Sequence, residues 1–113
     1  MKQSEIRINV ELDDKNIPEK IFWTAEDLDN KVTEAKAINI SVWEHSKRET
    51  LRLELWTKDM PVMDMKMMCI DTIGGMAETI KTSTGDEKMA NAMQALFQEL
   101  AQHLKSEQQQ SGN

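Results

Sequence analysis

Cysteine occurs only once, at Cys69, so no internal disulfide framework can form, and a reducing compartment suits the chain. No apolar run approaches the roughly 20 residues that a membrane helix needs, which excludes a helical span. The opening stretch, MKQSEIRINVEL, goes straight into polar and apolar alternation. It has neither the apolar segment nor the small-residue cleavage site of a secretory signal, so a cytoplasmic location is expected. Positive charge is also in short supply. Fourteen Lys and Arg against twenty Asp and Glu leave a net charge of -6, which removes long-range attraction to nucleic-acid phosphates. The local basic pair, Lys47-Arg48, falls in an expected turn and reads as a solvated hairpin tip.

Catalytic signatures are missing as well. Nucleophilic chemistry needs a nucleophile beside a base, and Cys69 falls on a helical stripe expected to be buried, where a thiolate is disfavoured. His45 and His103 each stand without a second histidine or cysteine at metal-ligand spacing. Gly74-Gly75 fits neither GxxxxGK[ST] nor GxGxxG and lies inside an expected helix, away from the strand-to-helix turns that cradle phosphates. The carboxylates are spread along the chain. No enzyme, cofactor or metal is therefore expected. A thioether site for Cu(I) has to be weighed, because Met60, Met63, Met65, Met67 and Met68 crowd together. On a helix their directions scatter, so one ion could not collect them.

What is present is clear patterning. Ile6, Ile8, Val10 and Leu12 alternate with Glu5, Arg7, Asn9 and Glu11, the period of two of a half-buried strand. Asp13-Asp14-Lys15-Asn16 breaks it, and Pro18 leads into a second strand through Trp23, hairpinned to the first. Residues Ala25 to Ala37 read as a loop with one helical turn. Ile38, Ile40 and Val42, then Leu51, Leu53 and Leu55, mark the third and fourth strands, joined by a turn over Glu44 to Glu49.

Asp59 is placed to accept the first amides of a helix, with Pro61 in its first turn. Val62, Cys69, Ile73, Met76 and Ile80 share one stripe of that helix, flanked by Ile70 and Ala77. Gly85 ends it, and Thr84 with Glu87 has the spacing of a capping box for a second helix running to about Lys105. That second helix puts Met89, Met93, Leu96, Phe97, Leu100 and Leu104 on one face. SEQQQSGN, residues 106–113, offers nothing to bury and is expected to be a disordered tail.

The fold class that follows is α+β: a four-stranded, mainly antiparallel sheet and then two C-terminal α-helices, in a single domain over residues 1–105. The first helix is expected to lie on the aliphatic sheet face, with Leu51, Leu53, Leu55, Val62 and Cys69 in the core. Trp43 and Trp56 then fall on the opposite sheet face, to be covered by the chain itself or by a partner. Methionines all round the first helix also ask for cover on more than one side. The expected partner-binding residues are Trp43, Trp56, Met63, Met65, Met67 and Met68, serving protein partners and a homo-oligomer.

Several stretches resemble the gliding-motility-associated protein GldC family of Bacteroidetes. They are Pro18-Glu19-Lys20-Ile21 with Trp23, Glu34-Ala35-Lys36-Ala37, Ser41-Val42-Trp43, Thr50-Leu51-Arg52, Leu55-Trp56-Thr57-Lys58-Asp59-Met60-Pro61-Val62, and Thr84-Gly85-Asp86-Glu87-Lys88-Met89. The resemblance spans about Ser4 to Leu104. It implies a small accessory protein of the gliding machinery, without catalysis, acting from the cytoplasmic side beside envelope-anchored gliding components. The alternative is an oligomeric holdase, since an acidic four-stranded sheet followed by helices is similar in outline to the secretion chaperone SecB.

Overall fold

The computed structural model describes residues 1–111, which fall into two compact units, 1–60 and 61–111. All the strands lie in the first and both helices in the second. Element order is β1 (Ile6–Leu12), β2 (Pro18–Ala25), β3 (Thr33–Ala35), β4 (Ala37–Glu44), β5 (Glu49–Trp56), α1 (Val62–Thr84) and α2 (Glu87–Ser111). A single 3-10 turn, Glu26–Leu28, sits between β2 and β3. The class is α+β, as the patterning predicts. The four-stranded sheet is not observed: the strands form a three-stranded sheet, β1-β2-β3, and a separate two-stranded ribbon, β4-β5.

The division has a local cause at Lys36. β3 pairs with β2 for only three residues, from Ile21 opposite Ala35 to Trp23 opposite Thr33. Beyond that the chain changes partner, and Ala37 lies opposite Trp56. Thr57 holds the changeover by donating both its backbone N–H (2.9 Å) and its hydroxyl (3.0 Å) to the carbonyl of Lys36. It is the one buried polar residue among those described. The Lys58 amide bonds the carbonyl of Pro18 at 3.0 Å, so the start of β2 is met by the segment after β5 and not by β4. Proline, having no N–H, cannot extend the ladder at that end.

The first unit's core is small and centres on β2. Ile21, flanked by Val10 on β1 and Ala35 on β3, is fully buried, and Ala25 is buried on the same face. The β1-β2 turn is built by one carboxylate. Asp13 accepts the amides of Lys15 (2.8 Å) and Ile17 (3.0 Å) while Asn16 takes the left-handed conformation, an Asx-type turn that asparagine tolerates. The Ile17 amide, the Lys58 ammonium at 3.1 Å and the Lys15 amide together hold the Asp13 carboxyl below its ordinary value. The β4-β5 turn uses Glu44 in the same way, its carboxylate accepting from the Ser46 hydroxyl and the Lys47 amide.

The second unit is a helical hairpin. Gly85 closes α1 in the left-handed conformation, φ 72°, its amide bonded to the Lys81 carbonyl, the C-cap that glycine adopts without strain. Asp86 then caps α2 by accepting the Met89 amide at 3.0 Å, so the cap is Asp86 and not the expected pair of Thr84 with Glu87. Asp59 does not cap α1 either. It is drawn to the Lys36 ammonium at 2.9 Å, which lowers the Asp59 carboxyl and raises Lys36. Pro61 occupies the N-cap without a side-chain bond.

α2 continues to Ser111, so residues 106–111 of the expected disordered tail are helical; Gly112 and Asn113 lie outside the described residues. Glu107 anchors this last stretch, accepting from Lys66 on α1 at 2.7 Å and pairing with His103 one turn back at 2.7 Å. Lys66 above all, with His103, keeps the Glu107 carboxyl below its ordinary value.

The hairpin's internal seam is a heptad pattern. On α1 it runs through Met63, Met67, Ile70, Gly74, Ala77 and Lys81, and on α2 through Ala90, Met93, Phe97, Leu100, Leu104 and Glu107, with steps of four and three. Ala77, Ala90 and Leu104 are its buried residues. Small side chains at Gly74, Ala77 and Ala90 bring the axes close, and the Phe97 ring lies directly over Gly74. That close approach selects this stripe over the one through Val62, Cys69 and Met76.

Candidate functional site

The expected partner-binding residues do not form one patch. Trp43 and Trp56 share a face of the β4-β5 ribbon, because they stand opposite Thr50 and Ala37 in the same alternating set of the ladder. Those positions are six residue steps apart along β4, about 20 Å of strand. Trp43 is 62% exposed near the turn, whereas Trp56 is half-buried beside the Thr57 changeover. Of the two, Trp43 is the accessible one.

The ribbon's other face carries three apolar cross-strand pairs, Ile38 with Leu55, Ile40 with Leu53, and Val42 with Leu51. Such pairs are what stabilise an antiparallel ribbon. They shield one another only in part: Leu51 and Leu53, expected in the core, are exposed, and so is Val42. A ribbon of two strands has too little width to bury its own apolar face. Both faces near the β4-β5 turn therefore present large apolar side chains to their surroundings.

The methionines are distributed around α1. Met63 and Met67 belong to the hairpin seam, and Met67 lines an open groove there with Ile70, Phe97, Ala101 and Leu104. Met68 points elsewhere and, with Met67, borders a shallow depression rimmed by Asp64, Asp71 and Thr72. Met65 is half-buried on another flank. Met63, Met65, Met67 and Met68 thus cannot contact one partner side chain together.

The stripe expected as core on α1 is open. Cys69 is exposed, as are Val62 and Met76. Each lies on the flank next to Ile73 and Ile80, and α2 brings Met89 and Leu96, also exposed, to the same flank of the hairpin. The opposite flank holds the Met67 groove, whose walls are mostly apolar, with Asp71, Lys105 and Gln108 on its rim. No three side chains of His, Cys, Asp or Glu come together among the described residues. His45 sits at the ribbon turn, and His103 is engaged by Glu107. Among the described residues no helix is long and apolar enough to cross a membrane.

The arrangement offers apolar contact surfaces: two on the ribbon and one on the hairpin. The α1 part of the hairpin flank is the stripe that the patterning marks as core; the stripe it does not mark is the internal seam, whose signal is the small residues Gly74 and Ala77.

Comparison with known proteins gives one match. The family model described as "Gliding motility-associated protein GldC-like" covers residues 18–106, from the start of β2 to the last turns of α2. No curated protein and no solved structure matches the chain.

Proposed function

The chain belongs to the gliding motility-associated GldC-like family, and on that premise we propose that it is a non-enzymatic accessory protein of the gliding machinery, working by protein contact. Membership connects the chain with gliding motility. The observation that carries the rest is the ribbon: Trp43 exposed on one face and Leu51 and Leu53 exposed on the other. Tryptophan is enriched in protein-binding hot spots, and the aliphatic side chains of the opposite face add a second open apolar surface. Solvating it without a partner is costly.

In this reading the protein acts on the cytoplasmic side, where it holds a gliding component against the ribbon. Carboxylates and lysines around the ribbon pair with one another, as Lys36 does with Asp59, so they keep the surface soluble and leave recognition to the apolar side chains. No proton transfer or covalent step is assigned to any residue.

Affinity capture of the tagged full chain from a gliding bacterium that expresses it tests the proposal. Recovery of identified envelope or motility proteins is the expected result; their absence under conditions that preserve micromolar complexes counts against it. The open apolar ribbon also favours a second reading, a holdase. General suppression of aggregation of an unfolded client selects that one, because a dedicated accessory protein protects no arbitrary client.

A further inference from the structure

We propose that the apolar flank of the hairpin is the docking site for a second copy of this chain, two hairpins closing into a four-helix bundle. The proposal deepens the contact reading above and rests on it only in taking contact as the way the protein works.

The first ground is continuity with the seam already made. On α1, positions 62, 66, 69, 73, 76 and 80 repeat with the same four-and-three steps as the internal seam, displaced by one residue. On α2, positions 89, 93, 96, 100, 103 and 107 repeat with the same steps and share Met93, Leu100 and Glu107 with the internal seam, so the two stripes differ there only in Met89, Leu96 and His103 against Ala90, Phe97 and Leu104. A helix in an isolated pair needs one such stripe. Helices carrying two adjacent stripes are patterned to meet two neighbours, as in a four-helix bundle.

Sidedness is the second ground. In an antiparallel pair the corresponding flanks of the two helices come to the same side. The groove that joins Met67 and Asp71 of α1 to Ala101 and Lys105 of α2 fixes which flanks are paired on its side. The remaining flanks, with Cys69, Ile73, Met76 and Ile80 on α1 and Met89 and Leu96 on α2, therefore share the other side. Met76 (49%), Met89 (49%) and Leu96 (45%) are exposed there.

The third ground is fit to an identical surface. The centre of the flank carries no charge. Its ionisable members, Lys66, His103 and Glu107, gather at the open end of the hairpin, where Lys66 and His103 both pair with Glu107. Two copies related by a two-fold axis then set apolar against apolar without opposing like charges. Twenty-three residues of α1 span about 35 Å, and two helices side by side are about 20 Å wide. The face is thus roughly 700 Å² per copy, close to the ~800 Å² per partner of a stable specific interface.

Light scattering on the full-length chain, eluted from a sizing column across micromolar concentrations, tests this. The expected mass is twice that of one chain. Met76→Glu and Leu96→Glu are each expected to give the mass of one chain with the helical circular dichroism retained. Because either substitution could also impair folding, the wild-type chain supplies a second readout: alkylation of Cys69 is expected to slow severalfold as concentration rises through the association. A wild-type monomer at all concentrations overturns the proposal. So does a dimer that both substitutions leave intact, or a Cys69 rate independent of concentration. Any of these leaves capture of gliding components by the ribbon to stand or fall by itself.

Discussion

Ile21→Ala is expected to destabilise the strand unit by about 2–5 kcal/mol, the range for removing a large aliphatic side chain from a filled core. Among the described residues Ile21 is the only large side chain that is completely buried, and it sits on the central strand, with Val10 on one side and Ala35 on the other. The cavity left behind adds to the lost transfer energy. The three tryptophans, Trp23, Trp43 and Trp56, all lie within residues 1–60, so tryptophan fluorescence during urea unfolding reports on this unit. A midpoint displaced strongly to lower urea is expected. An unchanged midpoint would mean that β2 is not the centre of that core.

The second large effect separates two adjacent glycines. A Cβ added to Gly74 would stand 2.7 Å from Cδ1 and 2.8 Å from Cε1 of Phe97, whereas one added to Gly75 meets nothing within 4 Å. Both positions gain about 1 kcal/mol of helix propensity from alanine. Only Gly74 also incurs overpacking, which costs about 1–3 kcal/mol. Gly75→Ala is therefore expected to raise the thermal midpoint of the helical circular dichroism signal. Gly74→Ala is expected to fall below Gly75→Ala by the whole overpacking cost. Adding Phe97→Leu to Gly74→Ala removes the clash and should narrow that gap. Equal responses at the two glycines would show that the helices do not approach at Gly74.

How much of this was legible in the chain depends on the element. Period-two alternation marks β1, β4 and β5 plainly, and the turn residues between them act as their chemistry predicts. α2 is legible because its polar and apolar faces are cleanly separated. β3 is not, since Thr33-Glu34-Ala35 is too short to show a period, and its pairing depends on β2 lying alongside. The split into a sheet and a ribbon is equally hidden: it turns on Thr57, whose amide and hydroxyl both reach a carbonyl twenty-one residues away.

α1 misleads for a different reason. Apolar residues nearly all round it define several candidate stripes, and hydropathy alone selects the largest, through Val62, Cys69 and Met76. The helix uses the stripe with the smallest residues because Gly74 and Ala77 admit Phe97 and the backbone of α2. Side-chain size, not apolar content, decides which face is internal. Asp59 shows a similar competition, in which the Lys36 ammonium takes the carboxylate that cap chemistry would have assigned to α1.

For the interaction surface, Trp43 and Trp56 read alike in sequence and differ in structure. Their positions in the ladder put them on one face, but the Thr57 changeover half-buries Trp56 and leaves Trp43 open. That contrast makes Trp43 the side chain whose loss is informative, because removing it disturbs little else in the fold. The most direct test of the account is the gliding speed of cells in which the native copy is replaced by Trp43→Ala, with protein level and circular dichroism matched to wild type. A severalfold loss of gliding is predicted; wild-type speed would contradict the assignment of the ribbon as the working surface.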